Sequence, residues 1–417
     1  MINYRTKTFP NGLRLLTSPL ASTEAVTILI LVEVGGRYEA KEKNGLSHFL
    51  EHLFFKGSQK YPSIQAIAKE LDALGANYNA FTGEEHTGFY VQSDSRDFKK
   101  SLDILSDMFL NPLFPESEVE KEKGVILEEA NMYRDVPQMH VSVLSQAQMF
   151  PNSPLGWNLV GTPESVKNIS RGDIANYFQA GYTPSTTTVV ICGNPKNFDW
   201  EKEIEACFKN KVNGPGLKYK PAESAKIEKV VAEKRKTDQT HFILAAKTFP
   251  KTDPRRYALI LLSTILGGGM SSRLFSKIRA QRGWAYYVKS SLAPFTDTGL
   301  IAFSAGVKND KLADSVQIIL EELEDIKQNG PVKDELERAK SNLRGQLALS
   351  LEDSFEIASF LGEEALYEPE IRQVEEIIDN LNKVSEDEIK KTSQEIFKSD
   401  KMGLAVVGPE KYKVDIK

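Results

Sequence analysis

The sequence predicts an α+β protein built from two homologous halves, each with a mostly antiparallel sheet and helices packed on one face. Strand-like and helix-like segments follow one another in the same order in both halves of the 417-residue chain, and a repeated order of elements indicates duplication. A stretch rich in Gly, Pro and Asn, Asn210 to Gly216, separates the two series and is typical of a linker. We therefore predict an N-terminal half at residues 1–212, a linker at 213–224 and a C-terminal half at 225–417.

The first half opens with a hairpin. Pro10-Asn11-Gly12 marks a turn between two strand-like runs. Val26 to Val34 follows as a near-continuous apolar strand that Gly35 ends. The spacing of apolar residues predicts the later elements of this half. They are helices after Ser63 and from Asp97, strands on both sides of Gly83, a helix from Glu116 to Tyr133, and a strand from Thr186 to Cys192.

The second half repeats this order of elements. Its predicted elements are a strand from His241 to Ala246, a helix from Arg256 to Leu266, strands from Ala285 to Ser291 and Gly299 to Val307, and helices from Lys311 to Gln328 and Val332 to Leu349. The first helix of this half has no histidine, so only the N-terminal half is expected to bind a metal.

Composition and charge narrow the classes of function. The net charge of −5 gives no reason to expect nucleic acid or an anionic membrane as a partner. No apolar run reaches the roughly 18 residues that a membrane span needs, and the first residues lack the apolar core of a signal peptide. Two cysteines do not make a disulfide framework. These features predict a cytoplasmic protein.

The stretch from Gly45 to Gly57 contains the pattern His-x-x-Glu-His. His48, Glu51 and His52 are spaced i, i+3 and i+4, so a helix places all three on one face. Two imidazoles one turn apart can converge on one Zn²⁺, and a carboxylate beside them can take the proton of a zinc-bound water. A lone helical histidine is usually a core or surface residue, but two of the five histidines in this chain fall at ligand spacing beside a glutamate. The sequence therefore predicts a zinc site.

A third protein ligand is expected on the helix that begins at Glu116. Its apolar stripe contains Glu122 and Glu129, and a buried carboxylate costs several kcal/mol unless a metal or hydrogen bonds compensate it. Glu128 lies on the polar face and is discounted. Glu122 and Glu129 are separated by roughly 10.5 Å along a helix axis, too far for both to touch one ion. We predict that Glu129 is the ligand and that Glu122 supports a ligand from behind, the alternative being that both are solvated.

These stretches together resemble the pitrilysin/insulinase family of inverted-motif zinc peptidases, in its short-chain branch close to mitochondrial processing peptidase. The resemblance covers essentially the full length of the chain. The matching stretches are His48 to Gly57, Asn79 to Thr82 with Glu85 and Thr87, Val125 to Glu129, Leu155-Gly156 with Gly161-Thr162, and Gly267 to Phe275. Leu53 and Trp284 depart from the residues common in the family, which affects packing rather than chemistry.

The resemblance implies roles for residues in both halves. Asn79, Ala80 and Phe81 look like the family's edge strand, to which the substrate backbone adds as an extra strand. Arg279 and Tyr286 look like the pair in the second half that contacts the substrate and the developing oxyanion. The adjacent Tyr287 leaves open which phenol reaches the site.

The resemblance also bears on the metal site and on assembly. It agrees with Glu129 as the third ligand and with Glu122 as its acidic companion. The family's fused long forms are about twice the size of this chain, which implies that a second chain completes the enclosing shell, with a homodimer as the default.

The predicted function is a zinc-dependent endopeptidase that cleaves peptides or unfolded polypeptide segments in an enclosed chamber. His48, His52 and Glu129 would bind one Zn²⁺ per chain, and Glu51 would activate the zinc-bound water. One alternative is a catalytically silent subunit of a processing-peptidase-like assembly, against which the intact metal residues argue. Another is an active chain that needs a non-identical partner, against which its own Arg–Tyr pair argues.

Overall fold

The structure, a computed structural model, describes residues 2–223 and 225–410, and these residues form two compact units. Unit 1 contains the described residues of Met1–Ala130, Asn158–Lys220 and Leu347–Val374. Unit 2 contains those of Asn131–Trp157, Pro221–Gln346 and Glu375–Lys417. Each unit has one sheet with its own hydrophobic core.

The two sheets have the same topology. The strands are β1 (Arg5–Thr8), β2 (Arg14–Pro19), β3 (Ala25–Val32), β4 (Asn77–Thr82), β5 (Thr87–Asp94), β6 (Thr187–Gly193), β7 (Val230–Lys234), β8 (Thr240–Thr248), β9 (Ala285–Pro294), β10 (Gly299–Val307) and β11 (Met402–Gly408). The order across the sheet is β1-β2-β6-β3-β5-β4 in unit 1 and β7-β11-β8-β10-β9 in unit 2. Without β1 the two orders are equivalent, and in the described part of the chain only the β2–β6 and β7–β11 pairs are parallel. The prediction of two homologous, mostly antiparallel halves is confirmed.

Most helices of each unit pack on one face of its sheet, as predicted. The helices of the described residues are α1 (Leu46–Phe54), α2 (Ile64–Ala73), α3 (Phe98–Leu110), α4 (Glu116–Asp135), α5 (Pro137–Met149), α6 (Pro163–Asn168), α7 (Arg171–Gly181), α8 (Trp200–Phe208), α9 (Arg256–Gly267), α10 (Leu312–Asn329), α11 (Lys333–Ser350), α12 (Ser354–Tyr367), α13 (Val374–Lys383) and α14 (Glu386–Ile396). In unit 1 α1, α2, α3, α7 and α8 share a core with Ile28 and Ile30 of β3, and in unit 2 α9, α10 and α14 share one with Phe242 and Leu244 of β8. Every helix in the described residues is too short or too polar to span a bilayer.

Two further helices cover the opposite faces of the sheets, and they come from the other half of the sequence. Leu29 and Leu31 of β3 pack with Leu361 of α12 in unit 1. Ile243 of β8 packs with Val141 of α5 in unit 2. The division into sequential halves at residues 212 and 225 therefore needs a correction at 131–157 and 347–374. The physical reason is that the central strands are apolar on both faces, so both faces must be covered.

Helix α12 is expected to stabilise unit 1 through this second core. Leu361 is fully buried, and Leu361→Ala is expected to lower the free energy of unfolding by about 2–5 kcal/mol because it leaves a cavity. The matched control is Leu349→Ala, since Leu349 is 79% exposed and its truncation is expected to change stability by less than about 0.5 kcal/mol. Urea denaturation of the two variants measures the difference, and equal effects would contradict this role of α12.

Candidate metal centre and active site

The conformation of a glycine and hydrogen bonds to a buried carboxylate fix the start of helix α1 in unit 1. Gly45, which precedes it, has a φ of 95°, and a Cβ at this position would lie 2.8 Å from the carbonyl oxygen of Val160. Glycine is therefore strongly favoured here. The buried carboxylate of Glu39 accepts hydrogen bonds from the backbone N–H groups of Gly45 at 2.7 Å and Ser47 at 2.6 Å. These bonds satisfy donors at the start of the helix, just before His48.

Three side chains of unit 1 meet beside α1. One nitrogen each of His48 and His52 and a carboxylate oxygen of Glu129 all lie within 4.8 Å of one another. Oε2 of Glu129, from α4, is 3.6 Å from Nε2 of His48 and 3.5 Å from Nε2 of His52. Tetrahedral zinc with bonds of about 2.0–2.1 Å keeps its ligand atoms roughly 3.3 Å apart. The three side chains therefore fit a zinc ion.

The two histidines differ in charge because their surroundings differ. Burial, together with the neighbouring His52, lowers the pKa of His48 to about 4, so its imidazole is neutral near pH 7. Burial also acts to lower the pKa of His52, but hydrogen bonds to Glu122 and Glu129 outweigh it and raise this pKa to about 9. A metal that binds Nε2 of His52 must therefore displace a proton, and metal affinity is expected to fall as the pH is lowered.

Glu122 lies behind His52 and is only 3% exposed. Nδ1 of His52 is 2.8 Å from Oε1 of Glu122, and Nζ of Lys56 is 2.7 Å from Oε2. Burial raises the pKa of Glu122, but these two hydrogen bonds outweigh it and hold the pKa below its usual value. The ionised carboxylate thus orients the His52 ring so that Nε2 faces Glu129.

Glu51 lies on the same face of α1 as His48 and His52. Burial raises the pKa of its carboxyl group, and a hydrogen bond from Thr82 opposes this rise. The hydroxyl of Thr82 donates to Oε2 of Glu51 at 2.5 Å. Glu51 therefore offers a partly buried carboxylate with one oxygen held by the last residue of β4.

The predicted substrate-binding residues lie on β4, which is an edge strand of the unit 1 sheet because, among the described strands, it pairs only with β5. Ala80 is buried in the core that contains α1. The side chain of Phe81 lies on the other face, over Gly88, where a Cβ would come within 2.2 Å of the ring. The side-chain oxygen of Asn79 accepts a hydrogen bond from the N–H of Ala80. At this edge a peptide would meet the main chain of β4, and at Ala80 it would replace the side chain of Asn79 as the partner of the N–H.

The predicted Arg–Tyr pair lies in unit 2. The guanidinium carbon of Arg279 is 5.6 Å from the centroid of the Tyr286 ring, and Tyr286 is 74% exposed. Tyr287, on the other face of β9, is half-buried, and its hydroxyl is 3.1 Å from Nδ1 of His241. Burial raises the pKa of Tyr287. Of the two tyrosines, Tyr286 is the one with an exposed phenol, and its role stays a prediction.

Two residues at the site were not predicted from the sequence. Lys56 follows His52 by four residues, in the turn just after α1, and this spacing could have indicated a shared partner. Thr82 lies within the stretch that carries the family resemblance, but no local pattern relates it to Glu51, which is 31 residues away in sequence.

Glu122 is expected to strengthen metal binding without touching the metal. Glu122→Gln removes the charge that orients His52, and we expect zinc affinity to fall by about 10- to 100-fold. Glu128→Gln is the matched control, since this glutamate is exposed on the same helix and, among the described residues, the ion pairs of the two histidines are with Glu122 and Glu129. Competition with a chromogenic chelator measures the affinities, and an unchanged affinity in Glu122→Gln would contradict this role.

Comparisons with known proteins agree on one family. The family model described as Insulinase (Peptidase family M16) matches residues 14–163, and the one described as Peptidase M16 inactive domain matches residues 168–343. An uncharacterized zinc protease of Streptomyces coelicolor is 33% identical over 98% of this chain and 90% of its own length. The uncharacterized zinc protease YmxG of Bacillus subtilis is 33% identical over 96% of this chain and 97% of its own.

Solved structures share the fold of the chain. A protease from Helicobacter pylori has a TM-score of 0.89 at 22% identity, covering 98% of this chain and all of its own. A Pseudomonas fluorescens structure described as a peptidase M16 inactive domain has a TM-score of 0.91 at 20% identity, covering 99% of this chain. Since both family models match and the relatives align along nearly the whole length, the chain belongs to peptidase family M16.

Proposed function

We propose that this chain is a zinc endopeptidase that hydrolyses peptides or unfolded polypeptide segments. The observation that carries the proposal is the convergence of His48, His52 and Glu129 beside the carboxylate of Glu51. The relatives named as zinc proteases support the same metal. Imidazole and carboxylate ligands with a further position left open are typical of catalytic rather than structural zinc sites.

The proposed roles in the reaction fall to different residues of unit 1. His48, His52 and Glu129 would hold one Zn²⁺ per chain, which when bound polarises the scissile carbonyl and makes water more acidic. Glu51 takes a proton from the attacking water as the general base, and then gives this proton to the nitrogen of the leaving amine. Glu122 keeps the His52 ring oriented throughout.

Substrate would bind to the free edge of β4. An added strand forms main-chain hydrogen bonds with alternate residues along the stretch of Asn79, Ala80 and Phe81, so recognition depends on the backbone more than on side chains. The last residue of β4 contacts Glu51, so a peptide on this edge lies close to the base. Broad sequence specificity follows from this mode of binding.

Unit 2 would contribute the Arg–Tyr pair. We assign the phenol of Tyr286 to the developing oxyanion, with Arg279 beside it, because the hydroxyl of Tyr287 is already engaged by His241. Arg279 would offer a positive charge to the negative charge that develops on this oxygen.

Assembly and location follow the same proposal. We expect a homodimer that encloses the reaction in a chamber, since two copies of one chain form symmetric interfaces most readily. The net charge of −5 argues against nucleic acid as a partner. Cys192 and Cys207 are both free thiols, in keeping with a cytoplasmic location.

The alternative is a catalytically silent or partner-dependent subunit. The family model that matches residues 168–343 is described as an inactive domain, but the metal-site residues all lie in the stretch matched by the other family model. Sizing of the purified chain, followed by a peptide assay without any other subunit, separates self-sufficient activity from partner dependence.

Glu51→Gln is the central test of the proposed function. The wild-type chain is expected to carry one zinc and to cleave a quenched fluorescent peptide until 1,10-phenanthroline is added. Glu51→Gln is expected to keep its zinc and to lose about 10²- to 10⁴-fold in kcat, because the amide cannot accept the proton. Mass spectrometry measures the zinc content, and the cleavage assay measures kcat. A fully active Glu51→Gln variant would falsify the mechanism, and a zinc-loaded but inactive wild type would favour the silent subunit.

Tyr286→Phe tests the contribution of unit 2. Removing one donor to an oxyanion costs about 10²- to 10³-fold in kcat, and we expect such a loss with little change in zinc content. Tyr287→Phe is the matched control and is expected to lose less than about 10-fold, because its hydroxyl contacts His241 instead. A larger loss in Tyr287→Phe than in Tyr286→Phe would reverse the assignment.

A further inference from the structure

The contact between Thr82 and Glu51 joins the last residue of an edge strand to the carboxylate that lies beside the two histidines. The hydroxyl of Thr82 donates to Oε2 of Glu51 at 2.5 Å, at the short end of the range for a hydroxyl bound to a carboxylate. In the part of the chain that the structure describes, this hydroxyl is the one hydrogen-bond partner of the Glu51 side chain. Oε2 is therefore occupied, and Oε1 is the oxygen left for another partner.

The side chain and the backbone of Thr82 are both restricted in conformation. Its β-branched side chain restricts χ1, and its backbone pairs with Thr87 across the turn that the N–H of Gly83 closes by donating to the carbonyl of His86. Two residues earlier on the same face of β4, Ala80 is buried in the core shared with α1. The hydroxyl is thus held at a defined distance from α1 by both the turn and the core.

We propose that Thr82 is a positioning residue for Glu51, holding Oε2 so that Oε1 alone exchanges the proton during peptide hydrolysis. This inference rests on the proposed function. One O–H bond of water breaks as its proton passes to Oε1, while the water oxygen bonds to the carbonyl carbon. The same proton then passes from Oε1 to the amide nitrogen as the C–N bond breaks. The hydroxyl of Thr82 keeps its own proton throughout.

The position of Thr82 on β4 gives this contact a second consequence. A peptide that adds to the free edge of β4 takes its register from the main chain of that strand. The same strand holds the carboxylate of Glu51, so the base and the peptide backbone are placed by one element. The scissile bond is therefore kept in register with Oε1 without a contact to any substrate side chain.

The test compares Thr82→Val with Thr82→Ser in zinc-loaded protein. Valine keeps the shape but removes the hydroxyl, and kcat is expected to fall by about 10- to 100-fold with KM changed by less than about 2-fold. Serine restores the donor, and its kcat is expected to stay within about 3-fold of the wild type. Zinc content and melting temperature are expected to match the wild type in both.

Thr87→Val, which removes a hydroxyl that donates to the carbonyl of Val34, is the matched control and is expected to lose stability without losing kcat per zinc-loaded chain.

A double variant tests whether Thr82 acts through Glu51. If it does, Thr82→Val causes no further loss in the Glu51→Gln background, because the effects of residues that act as a unit do not add. Full additivity would overturn the inference. So would a wild-type kcat in Thr82→Val, a loss in Thr82→Ser equal to that in Thr82→Val, or a loss of zinc and stability that accounts for the whole effect.

Crystal structures of wild type and Thr82→Val give a readout that does not depend on activity. The Glu51 side chain is expected to leave its wild-type rotamer or to become disordered in Thr82→Val, and an unchanged rotamer would overturn the inference. A wild-type chain that binds zinc but cleaves no peptide would contradict the proposed function instead, and the crystal structures would still decide the role of Thr82.

Discussion

The carboxylate of Glu122 is almost completely buried, and the candidate metal centre depends on how its negative charge is balanced. A buried carboxylate without partners is strongly destabilising. Here Nζ of Lys56 and Nδ1 of His52 lie on either side of it at 2.7 and 2.8 Å. His52 lies in the last turn of α1 and Lys56 two residues beyond its end, so one buried charge joins this end of α1 to α4. Because Nδ1 of His52 is engaged, Nε2 is the nitrogen that remains to face Glu129.

Burial on both faces of the sheets explains the larger architecture. Along β3, Ile28 and Ile30 enter one core while Leu29 and Leu31 enter another, so a sheet with helices on a single face would leave apolar surface in water. Helix α12 covers that second face in unit 1, and α5 does the same in unit 2. The duplicated topology is thus accompanied by an exchange of helices between the sequence halves. The exchange gives both units a closed second core.

The edge strand β4 connects the fold to the proposed chemistry. Its inner face is anchored by Ala80, its outer face by the ring of Phe81 over Gly88, and its end by the contact of Thr82 with Glu51. A strand held at these points presents its free edge in a fixed position, which a mobile strand would not. In the proposed function, the binding of a peptide and the placement of the general base would consequently both depend on this strand.

Local patterns in the sequence determined the order of the strands and helices, the helix that carries His48, Glu51 and His52, and the choice of Glu129 over Glu128. The inferences about strands and helices succeed because burial repeats every two residues in a strand and every three to four in a helix, so a few neighbouring residues contain the signal. The choice of Glu129 as a ligand stays a prediction, supported by its distances to His48 and His52. Two features were decided by the tertiary structure alone. Thr82 donates a hydrogen bond to Glu51, and α5 packs on the sheet of unit 2 while α12 packs on that of unit 1. These contacts join residues far apart in sequence, so no local period of apolar residues indicates them. The near-continuous apolar run of β3 did contain a hint of the second core, but which helix covers it depends on packing across the whole chain.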